Sequence, residues 1–400
     1  MEHTRDVRLA PYHSRLTQLG GHFFQSVGWE RPQWYESNRR LLEKYRQQIP
    51  EREGWEAMYW SPLQGVEHLA TRENVGLFEL SSFFKIEVSG PGAADYLEYL
   101  TANQVAKDLG KVVYTSLLTE SGGIKSDLTV TRLAEDRFWL LTGGGSGMID
   151  LDWVNQHAPK DGSVHIADIS SRYTAIGLWG PKARQVLESV AEQDVSNHAF
   201  PYFTAQELML EAIPALAFRL SYVGELGWEI YAPTEFGQRL WDILWNAGQE
   251  NQIVAAGMGA FDSLRLEKGY RALGNELHVE YNPLEAGLGW AVNLEQGDFL
   301  GREAFLKIKQ SGVDKMLCCL TLDEGTALGK EPIFTGDKCI GYVTSANYGY
   351  SVGKHIAYGY LPAQYARKGP RVEIEYFGER FTAHVDNDPL FDPGMKKLKA

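Results

Sequence analysis

An α+β fold that ends in a small all-β barrel or jelly roll is predicted by three observations. A strand–turn–helix unit occurs twice. Residues 84–88 run through Ser89-Gly90-Pro91-Gly92-Ala93 into a helix at 94–100, and residues 175–179 run through Gly180-Pro181-Lys182-Ala183 into a helix at 184–190. Hairpins with glycine in their turns follow, at 112–130 and 221–231. From about residue 315 the chain changes to short β-like runs, at 315–322, 339–345, 355–360 and 371–376, spaced by Gly, Asp and Pro turns.

Taken in order, residues 1–56 read as an N-terminal extension packed on the body. Trp29, Trp34, Tyr35 and the nearby Trp55 are not the residues of a flexible tail, and the charged run 39–52 has helical character through Leu41, Leu42 and Tyr45. A helix over 67–78 ends near Asn74 or Gly76. In both strand–turn–helix units a glycine ends the strand and a proline takes the first helical position, where its missing N–H costs nothing. Residues 112–118 and 124–130 pair across Glu120-Ser121-Gly122-Gly123. The strand 138–142 enters Gly143-Gly144-Gly145-Ser146-Gly147, where both G-x-G-x-x-G and G-x-S-x-G fail because Met148 replaces the last glycine. A bend beside a ligand, or a plain loop, remains. A helix at 235–246 carries Phe236, Leu240 and Leu244 on one face. A helix at 260–269 is closed by Gly269 and followed by a loop at 270–276. The expected domains are 1–56, a body of two α+β subdomains at 57–310, and the β-barrel at 311–400.

Composition narrows the function. The 400 residues are 44% hydrophobic and 23% charged, the values of a globular protein. A net charge of -13 with no offsetting basic patch speaks against nucleic acid. The three cysteines, Cys318, Cys319 and Cys339, have no zinc-site spacing and suit a reducing compartment. The charged start Met1-Glu2-His3-Thr4-Arg5-Asp6 lacks an apolar leader, and no run of about 18 apolar residues exists, so a cytoplasmic location off the membrane is expected.

Two acids stand out in the strands. In Ser221-Tyr222-Val223-Gly224-Glu225-Leu226-Gly227-Trp228-Glu229-Ile230-Tyr231, read as two strands about the turn 224–227, Glu229 shares a face with Tyr231 and Tyr222 lies across the hairpin. A carboxylate framed by phenol rings suits a flat, nitrogen-rich heterocycle, although a surface glutamate on a half-buried hairpin reads the same way. Asp127 stands in a strand, beside Lys125 and Thr129 and opposite in sense to Leu128 and Val130. Asp is disfavoured there, and exposure on a sheet edge is the simple explanation.

Together, Gly-Gly-Ile-Lys-Ser-Asp-Leu-Thr-Val at 122–130, Ser-Tyr-Val-Gly-Glu-Leu-Gly-Trp-Glu-Ile at 221–230, Asp-Ser-Leu-Arg-Leu-Glu-Lys-Gly at 262–269 and Pro-Leu-Glu-Ala-Gly-Leu-Gly-Trp at 283–290 resemble the glycine cleavage T-protein (aminomethyltransferase) family over roughly 57–395. Gly28-Trp29-Glu30-Arg31-Pro32 and Tyr59-Trp60-Ser61-Pro62 are closer to the tetrahydrofolate half of dimethylglycine and sarcosine dehydrogenases. The resemblance implies a three-domain cloverleaf around a central opening that takes tetrahydrofolate. By position, Asp127 matches the catalytic aspartate, Tyr114 a folate-contacting tyrosine, Glu229 the glutamate on the pterin edge and Tyr222 a residue lining that pocket. Tyr270 is carried over from the dehydrogenase branch. Phe261 and Trp179, with the 143–147 loop, are candidates for the donor pocket. No metal is implied.

Two departures argue against a glycine-cleavage partner: Phe261 where T-proteins have arginine, and Leu80-Ser81-Ser82 where they have Val-Ser-His. The cysteine signature of the tRNA-modifying relatives is missing at Lys268-Gly269-Tyr270-Arg271. The expected activity is therefore tetrahydrofolate-dependent demethylation of a small N-, O- or S-methylated compound, giving 5-methyltetrahydrofolate. The alternatives are an aminomethyltransferase-type subunit that forms 5,10-methylenetetrahydrofolate with a separate flavoprotein dehydrogenase, and a folate-binding module without turnover.

Overall fold

Each strand–turn–helix unit opens a sheet of the same plan in the computed structural model, which describes residues 4–400. Met1-Glu2-His3, the start of the stretch read as lacking a leader, lie outside the described residues. In the first sheet Phe84–Ser89 leads through helix Ala93–Leu100 to Val112–Leu118, Ile124–Ala134 and Arg137–Thr142. These three strands form an antiparallel meander whose last member pairs with the lead strand, Glu87 opposite Trp139. His165–Asp168 closes the other side. In the second sheet Tyr173–Trp179 leads through helix Ala183–Glu188 to Ala205–Leu210, Ile213–Phe218 and Gly227–Pro233. The meander repeats, with Glu229 opposite Gly177. Gly76–Glu79 and Val254–Ala256 extend this sheet to six strands.

The repeated sequence grammar has a backbone cause. Gly90 and Gly180 sit at φ +110° and +142°, and a β-carbon there would lie 2.5 Å from the Ser163 carbonyl or 2.4 Å from that of Asn74. Helices begin at Ala93 and Ala183, so Pro91 and Pro181 are turn residues and not the first helical residues expected. The helix expected at 67–78 spans Pro62–Glu73, because Ser61 caps it, its Oγ accepting from the Leu63 N–H at 3.3 Å, and Pro62 presets the first turn. Gly76 onward is already strand. The helix expected at 235–246 starts as a 3-10 turn, Thr234–Phe236, and continues as Gly237–Ala247.

The N-terminal residues bury their rings in the body. Tyr12, Leu16 and Tyr35 join the core behind the six-stranded sheet, and Tyr45 and Ile49 pack with Leu63, Val66 and Leu69 of helix Pro62–Glu73. At the C-terminal end, Lys315–Leu322, Pro332–Thr335, Lys338–Gly349, Lys354–Pro362, Arg371–Tyr376 and Glu379–Val385 close into a barrel filled by Leu320, Ile333, Val343 and Ile374. Helix Met258–Glu267 fastens these parts. Its Arg265 donates to Glu276 at 3.0 Å and to Ser345 of the barrel at 2.9 Å, and its Glu267 accepts from Arg72 at 3.0 Å. No described helix is long and apolar enough to cross a membrane.

Candidate functional site

Alternation along Ile124–Ala134 sends Leu128 and Val130 into the core and turns Asp127 the other way. The strand lies between two neighbours, so sheet-edge exposure does not account for this acid. Asp127 is half-buried, and its Oδ2 accepts from the Tyr114 hydroxyl at 2.9 Å. Burial pushes its carboxyl up to about 6; the Tyr114 bond opposes the rise, and the charges of Asp150 and Glu276 add to it. The Tyr114 ring stacks on Trp290, centroids 5.5 Å apart, and Trp290 is 67% exposed.

The second acid stands on Gly227–Pro233. Trp228 and Ile230 enter the core behind the sheet, while Glu229 and Tyr231 face the other way. The Tyr231 hydroxyl donates to Glu229 Oε2 at 2.9 Å, and Oε1 accepts from none of the described residues. Burial pushes the Glu229 carboxyl up to about 7, against the Tyr231 bond and the Lys85 charge. This face looks onto an aromatic cluster that includes Trp139, Phe218, Trp179 and Phe261.

The hairpin differs from expectation in its first arm. The strand paired with Glu229 is Ile213–Phe218, and Phe218, not Tyr222, lies opposite it. The pairing stops there because the Arg219 backbone turns to other partners, its N–H donating to Thr204 and its carbonyl accepting from Phe203, at 2.8 and 3.1 Å. Residues 219–226 are loop. From that loop Tyr222 still reaches the cluster. It stacks on Phe261 at 5.1 Å and on Tyr270 at 5.5 Å, and its hydroxyl donates to the Arg271 carbonyl. Burial raises the Tyr222 phenol; Arg265 opposes and the Asp127 charge adds, so Tyr222 stands within electrostatic reach of the first acid. Tyr222, Phe261 and Tyr270 thus stack at the cluster that Glu229 faces, while Tyr114 pairs with Asp127 and Trp290.

Trp179 is the exception among the candidates. It is fully buried, its Nε1–H donates to the Leu220 carbonyl at 2.8 Å, and it backs Phe261 at 6.0 Å instead of offering a free face. Two of the glycines at 143–147 have packing reasons of their own: a β-carbon on Gly144 would meet the Ser82 carbonyl at 2.2 Å, and one on Gly147 the Phe84 ring at 2.0 Å, whereas one on Gly145 would meet nothing within 4 Å. Tyr231 shares the face of Glu229 as the alternation predicts, whereas Trp290 is not singled out from sequence. Trp290 closes the 283–290 motif, and an aromatic after paired glycines was the available signal. A surface hollow of about 520 Å³, lined by Glu211, Arg239, Asn246 and Glu250 among others, shares no residue with this site. Among the described residues no group of three or more His, Cys, Asp or Glu is disposed to hold a metal.

Comparison with known proteins adds an independent finding. The GCVT N-terminal domain family matches residues 12–296, and the glycine cleavage T-protein C-terminal barrel domain matches 315–392. The first match begins inside the stretch set apart above as an extension. Human mitochondrial dimethylglycine dehydrogenase is 36% identical over 93% of this chain and 43% of its own length. The aminomethyltransferase of Symbiobacterium thermophilum is 34% identical over 84% of this chain and 92% of its own. The crystal structure of glycine cleavage system aminomethyltransferase T from Bartonella henselae superposes with a TM-score of 0.83 at 27% identity, covering 97% of this chain and 99% of that one. The chain spans less than half the length of the human relative.

Proposed function

The chain belongs to the glycine cleavage T-protein family of aminomethyltransferases, and from that premise we propose that it moves a one-carbon unit from a small methylated amine onto tetrahydrofolate. The observation that carries the proposal is a pair of acids from two different sheets, each with a tyrosine hydroxyl on one oxygen, one of them facing an aromatic cluster and the other beside a stacked tyrosine and tryptophan.

These residues fit a reduced pterin. Glu229 has an oxygen with no partner among the described residues, set in an aromatic surround, which suits the N–H groups on the edge of a flat heterocycle. Tyr114, Tyr222 and Tyr270 offer ring faces for the remainder. When bound, tetrahydrofolate supplies the amine nucleophile that takes up the carbon. Asp127, ionised above about pH 6, is the group able to receive a proton there or to stabilise developing positive charge. Tyr114 holds its carboxylate in one orientation.

Similarity to a dehydrogenase over 93% of this chain supports a carbon delivered already oxidised by a flavoprotein dehydrogenase, with 5,10-methylenetetrahydrofolate as product. Direct methyl transfer to give 5-methyltetrahydrofolate is the second reading. It is favoured by Phe261 and Leu80-Ser81-Ser82, which depart from the T-protein pattern. One experiment separates them. The protein is incubated with tetrahydrofolate and a panel of methylated amines, sulfonium compounds and aryl methyl ethers, with and without a flavoprotein dehydrogenase, and folate products are weighed by mass spectrometry. Methylene product only with the flavoprotein supports the first reading, and methyl product from the protein alone supports the second. Folate binding with neither product leaves a module without turnover.

A further inference from the structure

Strand Trp29–Tyr35 lies directly on the start of helix Met258–Glu267, where a β-carbon on Gly257 would come within 2.4 Å of the Gln33 backbone. This contact delivers Arg31 to the edge of the aromatic cluster. Arg31 is half-buried, and its Nη2 donates to the Met258 sulfur at 2.9 Å, while Met258 itself packs against the cluster. The Arg31 Nε is buried and has no partner among the described residues. A thioether is a weak acceptor, and a guanidinium has five N–H donors. A half-buried guanidinium paired only with a thioether has donors left for a further partner.

Neighbouring cations are committed elsewhere. The Lys85 ammonium donates to the carbonyls of Ser81 and Phe83 at 3.0 and 2.8 Å. Arg265 is held by Asp262 and Glu276, and Arg271 by Asp388. The acid nearest in influence to Arg31 is Glu79, whose Oε1 accepts from the Ser81 N–H at 2.5 Å and whose Oε2 is buried without a partner among the described residues. Arg31 forms no ion pair with it.

We propose that the Arg31 guanidinium, hung at the rim of the aromatic cluster with its fork unfilled, anchors the carboxylate of a bound ligand. Planar bidentate pairing is what this group offers and an ammonium does not. The inference rests on the one-carbon transfer reading above and deepens it. Two ligands there present a carboxylate: the glutamate tail of folate, and a methylated amino acid acting as donor.

The test uses binding to the full chain, followed by tryptophan fluorescence. One arm compares 5-formyltetrahydrofolate with its counterpart lacking the glutamate, and the other compares N,N-dimethylglycine with its amide. Arg31→Gln weakens the acid of one pair by about 10–100-fold and leaves its uncharged counterpart within about twofold, and Arg31→Lys recovers part of the loss. The arm that responds identifies the source of the carboxylate. The inference is overturned if acid and neutral ligand weaken alike, if neither acid weakens, or if the wild type binds no carboxylated probe. Binding of dimethylglycine through Arg31 without binding of the folate probe would keep the anchor and sink the folate reading. Glu79→Gln guards against a purely structural pair: if Arg31 serves only Glu79, the two variants lose thermal stability non-additively and acid affinity does not change.

Discussion

Replacing Asp127 with asparagine should make the protein more stable above neutral pH while removing its turnover. The Asp127 carboxyl is pushed from an ordinary 3.8 up to about 6, chiefly by burial. The folded state therefore keeps a proton that the unfolded chain has already released. The contribution of this group to folding is most favourable below about pH 4 and is lost as pH rises through about 6. A rise of about two units at 1.36 kcal/mol each is about 3 kcal/mol, and half-burial with solvent screening reduces it to about 1–2 kcal/mol. Asparagine cannot ionise, and its side-chain oxygen still accepts the Tyr114 hydroxyl. Urea unfolding of wild type and Asp127→Asn, followed by tryptophan fluorescence at pH 4 and pH 8, reads the effect. The difference between the two should grow in favour of the variant by about 1–2 kcal/mol across that interval. A difference independent of pH, or one that grows in favour of the wild type, would refute the placement of a destabilised carboxylate at this position.

Three other substitutions probe the same geometry. Tyr114→Phe removes the donor that favours the Asp127 anion, so the acid limb of a pH–rate profile should move up by about one unit. Glu229→Gln should weaken binding of 5-formyltetrahydrofolate by about 10–100-fold in a fluorescence titration. Wild-type affinity should climb as pH rises through about 7, where the Glu229 carboxylate forms, and the variant's should stay level. Gly123→Ala places a β-carbon 2.0 Å from the Val279 carbonyl and should destabilise the protein by about 2–4 kcal/mol, visible as a lowered melting temperature.

Local periodicity carried most of what was legible. Alternation over 124–130 put Asp127 on the face away from Leu128 and Val130, and alternation after Gly227 separated Glu229 and Tyr231 from Trp228 and Ile230, as observed. What stayed hidden depends on partners distant in sequence. Tyr222 leaves the hairpin because the Arg219 backbone bonds to residues 203 and 204. Trp179 is withdrawn from the site by the Leu220 carbonyl. Arg31 meets Met258 only because the N-terminal hairpin lies on a helix that forms far down the chain. Helix starts were missed where a cap decided them, as Ser61 does for the helix at Pro62.

The two meanders have a consequence for how such a molecule can change. Glu87 and Gly177 stand at the same place in their lead strands, three residues before Gly90 and Gly180, and across the ladder from them are Trp139 and Glu229. Where one half of the doubled architecture keeps an indole, whose N–H meets Glu87 at 3.1 Å, the other half has an acid over a bare glycine. The copies remain alike in backbone and have ceased to be exchangeable in chemistry. A chain assembled from two first halves could preserve the outline of this body and would carry an indole, and no acid, at the position of Glu229.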